Sequence, residues 1–280
     1  MALSTRITEM LGIEKPIIQA AMGWIARAQL SSAVSNAGGM GIIETSSGEL
    51  DAVREEILKM RQLTDKPFGV NVAQAFVRDP DIIRFVIDQG VKFVTTSAGD
   101  PMKYTAMLKD AGLTVFHVVP NLAGALRAVE AGVDGLIVEG GEGGGFKNPK
   151  DVSTMVLVPQ VVEAVDVPVV AAGGIMDGKT MAAAFALGAE GVLMGTRILS
   201  SAESPVHENW KQAILDADAT DTVFLNRKGP GPALRALRTA RSTRIAAEGS
   251  PNIFGEFADT RKVYFEGDLE AGIALTGTEV

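Results

Sequence analysis

The apolar stretch Gly135-Leu136-Ile137-Val138 is followed at once by Glu139-Gly140-Gly141-Glu142-Gly143-Gly144-Gly145-Phe146-Lys147. A short, continuously apolar run is typical of a buried strand, and five glycines directly after it would let backbone approach a neighbouring group closely. A flexible surface linker is the alternative explanation for so much glycine. The rest of the chain favours a ligand-facing loop at the carboxyl end of a strand.

Short apolar runs of this kind alternate with helical stretches along most of the chain. The predicted strands are Pro16–Ala21, Gly41–Ile43, Phe68–Val72, Lys92–Thr96, Thr114–Val119, Gly135–Val138, Val167–Ala172 and Gly191–Met194. Four junctions repeat one pattern, in which a helix end is followed by a glycine and then by an apolar residue: Gly90, Gly112, Gly132 and Gly188. Eight successive βα units predict an α/β protein with a (β/α)8 TIM barrel, and an open doubly wound sheet is the competing arrangement.

The strand pattern stops after Ser200. Long helical stretches are predicted at His207–Ala217 and Ala233–Ala247, with no further core strand between them. We therefore expect residues 1–201 and 261–280 to form the barrel, and residues 202–260 to form a helical cap inserted after strand 8. The segment Val263–Asp268 is expected to return to the barrel.

Composition excludes several classes of function. The 280 residues carry a net charge of −8 and include no cysteine. An acidic protein lacks the positive field that nucleic acid binding needs, and the absence of cysteine excludes disulfides, thiolate nucleophiles and cysteine metal sites. No apolar run approaches 18 residues, and Met1–Arg6 does not resemble a signal segment. We expect a cytoplasmic protein that binds neither nucleic acid nor membrane.

The carboxyl ends of barrel strands form the working face of this fold. Two of these ends carry small, glycine-containing turns, Gly173-Gly174 after the seventh strand and Gly195-Thr196 after the eighth. Backbone N–H groups of such turns commonly hold a phosphate, although tight turns without a ligand are the alternative. The two turns together favour a phosphate-bearing cofactor.

Five motifs, in order along the chain, resemble the nitronate monooxygenase family, which includes flavin-dependent enoyl-acyl-carrier-protein reductases. The motifs are Gln19–Met22, Phe68–Asn71, Glu139–Gly145, Ala171–Ile175 and Met194–Arg197. The resemblance implies an FMN-dependent barrel with a cap. It also implies cofactor-binding residues at matching positions: Gly173, Gly174, Gly195 and Thr196 for the FMN phosphate, and Ala21, Met22 and Asn71 for the ring, with Gln19 nearby.

One position departs from the family pattern. Many members carry a catalytic histidine at the end of the glycine-rich loop, where this chain has Phe146, which we expect at the substrate. The chain has only two histidines. His117 falls inside the fifth strand and is interpreted as a buried, hydrogen-bonded residue, while His207 is interpreted as a surface or helix-capping residue. Neither replaces the missing base, so nitronate oxidation loses support.

The loop itself offers replacement catalytic groups. Lys147 follows Phe146, and Glu139 and Glu142 lie in the same loop. A buried lysine or carboxylate beside a flavin could act as a general acid or base. An exposed lysine, with Glu142 merely neutralising it, is the competing explanation.

The predicted cap carries a regular series of arginines. Arg235, Arg238, Arg241 and Arg244 recur every third residue and would form one basic stripe on a helix. A solvated helix face is one explanation. The other is a docking surface for the phosphates of CoA, an acyl carrier or NAD(P)H, with Arg235 and Arg238 binding substrate.

These observations predict an FMN-dependent oxidoreductase that transfers hydride between the flavin and an activated C–C bond of a small-molecule substrate. An enone or an enoyl- or acyl-CoA thioester fits this chemistry, with NAD(P)H as a candidate co-substrate and a homodimer as a candidate assembly. The alternatives are a nitronate monooxygenase that oxidises alkyl nitronates with O2, and a barrel that binds a phosphate ligand without redox chemistry.

Overall fold

The computed structural model describes residues 3–229, 231–250, 252–257 and 259–278. The strands are β1 (Ile17–Gln19), β2 (Gly41–Ile43), β3 (Phe68–Ala73), β4 (Phe93–Ser97), β5 (Thr114–Val119), β6 (Gly135–Glu139), β7 (Gly145–Lys147), β8 (Val169–Ala172), β9 (Gly191–Met194), β10 (Thr222–Leu225) and β11 (Ala233–Leu237). The α-helices are α1 (Arg6–Leu11), α2 (Ala28–Asn36), α3 (Leu50–Leu63), α4 (Ile82–Asp88), α5 (Thr105–Asp110), α6 (Leu122–Glu130), α7 (Thr154–Val162), α8 (Gly178–Ala186), α9 (Thr196–Leu199), α10 (Glu208–Asp216), α11 (Ala240–Glu248) and α12 (Thr260–Glu266).

The main sheet is parallel and closes on itself. Its eight strands follow the order β1-β9-β8-β6-β5-β4-β3-β2. At the remaining seam, β1 meets the residue before β2 through a bridge between Ile18 and Met40. The Gln19 N–H donates to the Met40 carbonyl at 2.9 Å, and the Met40 N–H donates to the Ile17 carbonyl at 2.9 Å. The predicted (β/α)8 barrel is thus confirmed, and the open doubly wound sheet is wrong.

The barrel interior is filled by side chains. Phe93 and Phe116 meet edge to face, with ring centroids 5.1 Å apart. Glycines on neighbouring strands make room for these rings, because a Cβ on Gly69 or on Gly135 would lie 2.6 Å from a ring carbon of Phe93 or of Phe116. Ile7 of α1 is fully buried in the same cluster. A packed interior leaves the carboxyl ends of the strands as the place for a ligand.

The cap contains strands as well as helices, which corrects the prediction. A second sheet joins β10, β11 and β7 in antiparallel order, with Leu234 opposite Phe146 and Arg235 opposite Gly145. The predicted helix over Ala233–Ala247 is therefore wrong in its first half. Alanine, leucine and arginine favour helix locally, but pairing with β7 of the glycine-rich loop overrides that preference.

The helical part of that segment begins after a cap residue. Thr239 and Ser242 form a capping box at the start of α11. Arg235 consequently lies on β11 and Arg241 on α11, so the predicted arginine stripe on one helix face is wrong. The other cap helix is confirmed: α10 begins after His207, whose ring accepts a hydrogen bond from the Asn209 N–H.

Residues 271–278, which we call the C-terminal strap, run across the carboxyl end of the barrel. The Leu237 N–H donates to the Ala274 carbonyl at 2.8 Å, and the Trp210 indole donates to Thr276 at 3.2 Å. The Gly277 N–H donates to the Thr196 hydroxyl at 2.9 Å. The return to the barrel is thus made by the strap, whereas the predicted segment 263–268 lies largely within α12.

The proposed division into barrel and cap stays a prediction. The second sheet takes β7 from the loop after β6, so the cap shares a sheet with the barrel. Residues 1–2 and 279–280 of the predicted barrel segments lie outside the described residues.

Among the residues described, no helix has both the length and the hydrophobicity that crossing a bilayer requires.

Gly41 allows α2 to touch β2. A Cβ at this position would lie 2.7 Å from the Ser31 carbonyl carbon and 2.9 Å from the Ser35 hydroxyl. We predict that Gly41→Ala lowers the free energy of unfolding by about 1–3 kcal/mol, because backbone has to move. Gly178→Ala is the control, since no atom lies within 4 Å of its Cβ position. Urea denaturation followed by circular dichroism measures both, and equal midpoints would contradict the prediction.

His117 joins β5 to β4. It is 4% exposed, and its Nδ1 lies 2.7 Å from the Thr96 hydroxyl. Burial lowers the pKa of His117 from 6.5 to about 4, although the Gly99 backbone and the Asp100 charge oppose that change. The ring is therefore neutral at physiological pH, and the interpretation of a buried, hydrogen-bonded histidine is confirmed.

This lowered pKa predicts a loss of stability in mild acid. Between pH 6.5 and pH 4 the unfolded chain binds a proton at His117 that the folded chain does not. The contribution of His117 is complete above pH 6.5 and decreases as the pH falls, reaching a loss of about 3 kcal/mol near pH 4. Urea denaturation at pH 7 and pH 4.5 should show a smaller decrease for His117→Gln than for the parent. Equal decreases in the free energy of unfolding of the two proteins would contradict the prediction.

Candidate active site

A cavity of about 950 Å³ opens at the carboxyl ends of the barrel strands. Its wall combines the segment after β1, the ends of β3, β4 and β5, the glycine-rich loop, the turns after β8 and β9, and the C-terminal strap. A single large cleft at this face is the usual position of a barrel active site. Residues of the predicted site are therefore expected to line this cavity.

The two turns predicted to hold a phosphate contribute to the cavity wall. Gly173, Gly195 and Thr196 line the cavity, and Gly174 does not. Gly173 and Gly174 have φ angles of 95° and 73°, which a residue with a Cβ rarely adopts. A Cβ on Gly173 would also lie 3.0 Å from the Gly143 amide nitrogen. The turn thus needs glycine for its backbone conformation and for its close approach to the glycine-rich loop.

The other predicted cofactor residues lie together along the same cavity. Gln19, Ala21, Met22 and Asn71 all line it. Gln19 is fully buried and donates to the Ile42 carbonyl at 3.1 Å, while its side-chain carbonyl oxygen has no hydrogen-bond partner within the described chain. A buried acceptor without a partner costs free energy unless a ligand completes it. A flat heteroaromatic ring that carries N–H donors would fit here, because the residues after β1 are small and the Gln19 oxygen and the Asn71 amide offer hydrogen-bonding groups.

Lys147 and Glu139 form a largely buried ion pair in the cavity wall. The Lys147 side chain is 3% exposed, and its ammonium group contacts the Glu139 carboxylate. Gly143 makes room for the pair, because a Cβ there would lie 2.7 Å from the Glu139 carboxylate and 2.8 Å from the ammonium. Lys147 is positioned by β7, where it pairs with Ala233 of β11. The partner of Lys147 is thus Glu139 and not Glu142, and both members of the pair line the cavity that the predicted ring-binding residues also line.

Glu142 lies apart from that pair. Its carboxylate accepts from the Thr154 N–H at 2.9 Å and from the Thr154 hydroxyl at 2.9 Å, at the start of α7. Its carbonyl accepts from the Thr278 N–H at 2.8 Å. Glu142 is absent from the cavity wall. This placement favours a role in holding the loop to α7 and the strap over the predicted catalytic role.

Phe146, the residue in place of the family histidine, lies in an aromatic cluster. Its ring is 4.9 Å from that of Phe76 and stacks on Phe257 at 5.6 Å. Phe146 and Phe76 both line the cavity. The cavity wall formed by Phe146 and Phe76 is therefore apolar, and the Phe146 side chain carries no proton acceptor.

The two predicted substrate arginines lie outside the cavity wall. The Arg235 guanidinium donates to the Gly141 carbonyl at 2.6 Å and to the Thr222 hydroxyl at 3.1 Å. Arg238 donates to the Thr220 and Thr222 carbonyls. Both arginines bind the cap and loop backbone, so this placement favours a structural role.

Sequence reasoning missed two groups that line the cavity. His117 was identified as buried but not as part of the wall, and Asp100 with Arg127 was not singled out. Arg127 donates to both carboxylate oxygens of Asp100, at 2.9 and 2.7 Å. No local motif marks these residues, which lie after β4, on β5 and on α6 and come together only in the folded chain.

Comparisons with known proteins agree with this geometry. The family model described as nitronate monooxygenase matches residues 4–82 and 75–279. A dehydrogenase from Mycobacterium tuberculosis, named for (3aS,4S,5R,7aS)-5-hydroxy-7a-methyl-1-oxo-octahydro-1H-indene-4-carboxyl-CoA, is 40% identical over 242 residues, which are 85% of this chain and 67% of that protein.

Two solved structures extend the likeness to the whole fold. FabK from Thermotoga maritima superposes with a TM-score of 0.92 at 42% identity, over 99% of this chain and 89% of FabK. A nitroalkane oxidase from Streptomyces ansochromogenes superposes with a TM-score of 0.84 at 28% identity, over 98% of this chain and 92% of the oxidase. The chain belongs to the nitronate monooxygenase family and is an oxidoreductase of that flavin-dependent group.

Proposed function

We propose that this protein binds FMN and moves a hydride between it and the carbon–carbon bond next to the carbonyl of an acyl-CoA thioester. The observation that carries the proposal is the largely buried Lys147–Glu139 pair, which lines the cavity together with Phe146, the residue at the position where the family resemblance implies a histidine. The similarity to a carboxyl-CoA dehydrogenase supports a CoA thioester as the substrate class.

The residues that would hold FMN fall into two sets. Gly173, Gly174, Gly195 and Thr196 would hold the phosphate through backbone N–H groups and the threonine hydroxyl. Ala21, Met22, Asn71 and Gln19 would surround the ring, with the open Gln19 oxygen accepting from it. Bound FMN supplies a hydride acceptor or donor to the reaction.

The thioester carbonyl makes the proton on its α-carbon acidic. In the oxidative direction the β-carbon loses a hydride and the α-carbon loses a proton, which leaves a double bond between them. The Glu139 carboxylate is the group that would accept this proton, and Lys147 would hold the carboxylate in place and stabilise its charge. In the reductive direction the same pair would return the proton to the α-carbon.

Reduction would also need an external hydride source, and NAD(P)H is the co-substrate we propose for it. Oxidation of neutral nitroalkanes has less support, because the Phe146 ring cannot accept their α-proton as a histidine would, whereas a nitronate has already lost that proton and stays the alternative substrate. Glu142 is proposed here as a positioning residue for the loop, in view of its bonds to Thr154.

The phosphate-binding turn gives a test of the cofactor. We predict that Gly173→Ala weakens FMN binding by about tenfold or more, since a backbone strained by roughly 1 kcal/mol and crowded against Gly143 presents its N–H groups poorly. Gly112→Ala is the matched control, because Gly112 also has a positive φ, of 78°, but has open space around it and lies outside the cavity wall.

The readout is quenching of FMN fluorescence during titration into apoprotein. The Gly112 variant should bind FMN as tightly as the parent. Equal affinities for all three proteins would place the phosphate elsewhere, and failure of the parent to bind FMN would support a non-redox barrel.

The ion pair gives a test of the chemistry. We predict that Lys147→Met and Glu139→Gln each lower kcat for a CoA thioester by about 10²–10⁴-fold, with FMN retained, because proton transfer at the α-carbon loses its base or the group that orients it. Stopped-flow absorbance of the flavin measures the rate.

Lys211→Met is the matched control. Lys211 is also largely buried, at 8% side-chain exposure, and is paired with Glu208 at 2.9 Å, but it lies on α10 outside the cavity wall. It should keep its kcat. Unchanged kcat in the Lys147 and Glu139 variants, or oxygen consumption with a nitronate that exceeds turnover of every thioester, would refute the proposed function.

A further inference from the structure

Two loops border one side of the cavity opening, which we call its mouth. Each loop adjoins a strand of the second sheet, β7 or β11. One is the segment after β7, whose Asn148 and Pro149 line the cavity. The other is the β10–β11 hairpin, whose Pro232 lines it. An ion pair ties the loops together, with Arg227 of the hairpin donating to Asp151 at 2.6 and 3.3 Å.

This side of the mouth is basic. Lys150, Arg227 and Lys228 lie on the two loops that border the cavity, none of the three lines the cavity itself, and the Asp151 carboxylate on these loops pairs with Arg227. The Arg227 side chain is 49% exposed, and its guanidinium lies 4.2 Å above the Phe224 ring, so its position is set by stacking and by the ion pair. These four side chains together carry a net charge of +2, whereas the whole protein has a net charge of −8.

An exposed aromatic side chain lies beside the hairpin that carries Arg227 and Lys228. Phe254 is 53% exposed and lines the cavity. Its ring lies against the hairpin, since a Cβ on Gly231 would be 3.6 Å from its Cε2 atom. An exposed aromatic ring at a ligand cavity offers a face on which a flat ligand group can stack.

We infer that this basic mouth, formed by Lys150, Arg227, Lys228 and Phe254, binds the 3′-phosphoadenosine diphosphate end of the CoA thioester. The inference rests on the proposed function, because it takes the thioester as substrate. Arginine and lysine bind phosphate oxygens with charge-assisted hydrogen bonds, and an exposed phenylalanine stacks on a purine. The acyl group then points into the cavity, towards Lys147 and Glu139.

Arg127 is an exposed cation that lines the cavity itself, whereas the three cations of the basic mouth lie on the loops that border it, and Arg127 fits a nucleotide less well. It gives two hydrogen bonds to Asp100, and both side chains are about half exposed. This pair is close to neutral in net charge. It offers a competing position that the experiment can separate from the basic mouth.

The test compares substrates with and without the nucleotide. We predict that Lys150→Glu/Lys228→Glu raises KM for a CoA thioester by about tenfold or more, since two attractive charges become repulsive, and leaves its kcat unchanged. The same acyl group on N-acetylcysteamine, which lacks the nucleotide, should keep its KM. The double variant leaves the Arg227–Asp151 pair in place, so loss of loop structure is not the cause. Phe254→Ala should act in the same direction.

The matched control is Arg84→Glu/Lys92→Glu. Both residues are exposed, and Lys92 immediately precedes β4, at the opposite end of the barrel from the cavity. This variant changes the net charge of the protein equally and should keep the parent KM for both thioesters. A rise in KM equal to that of the mouth variant would overturn the inference.

Calorimetry with adenosine 3′,5′-bisphosphate tests the docking site without turnover. The parent and the control should bind it, and the mouth variant should bind it about tenfold more weakly. Equal binding by all three proteins, no binding by the parent, or loss of binding in Arg127→Ala alone would refute the inference. Failure of the proposed function would instead appear as no turnover of either thioester while bisphosphate binding still follows the mouth residues.

Discussion

The site depends on the absence of side chains from the loop after β6. A Cβ on Gly140 would overlap the Thr154 hydroxyl, one on Gly143 would lie 2.7 Å from the Glu139 carboxylate, and one on Gly144 would lie 2.7 Å from the Gly277 amide nitrogen. Each glycine therefore allows a different element to reach the loop: α7, the ion pair, or the C-terminal strap. The conformational entropy that these glycines lose on folding is offset by the contacts that they permit.

The same loop also determines which charged side chains are buried at the cavity. A lysine at 3% side-chain exposure is stable as a cation only beside a carboxylate, and the loop brings Glu139 to Lys147 within a cavity that is otherwise largely apolar. Glu142, three residues from Glu139, instead bonds to Thr154 and fixes the loop from outside. Two carboxylates that look alike in the sequence thus have different surroundings, and only one of them reaches the cavity.

The barrel and its glycine turns could be predicted because both follow from local pattern. Continuous apolar runs, and a glycine after the helix at four junctions, identify the βα units, and the positive φ angles of Gly173 and Gly174 agree with the turns expected there. The strand at Ala233–Leu237 could not be predicted, since its residues favour helix and its partner, β7, lies far away in the sequence. The cavity-facing position of His117 likewise follows only from barrel closure.

The C-terminal strap has a consequence for the time at which the site can exist during synthesis. The Gly277 N–H completes the hydrogen bonding of the Thr196 hydroxyl, a contact that spans 81 residues of chain. A nascent polypeptide can close its eighth βα unit long before residue 277 has left the ribosome. During that interval the barrel would have its strands but not the part of the cavity wall that Leu275 of the strap supplies, so the cavity is completed well after the barrel strands have been synthesised.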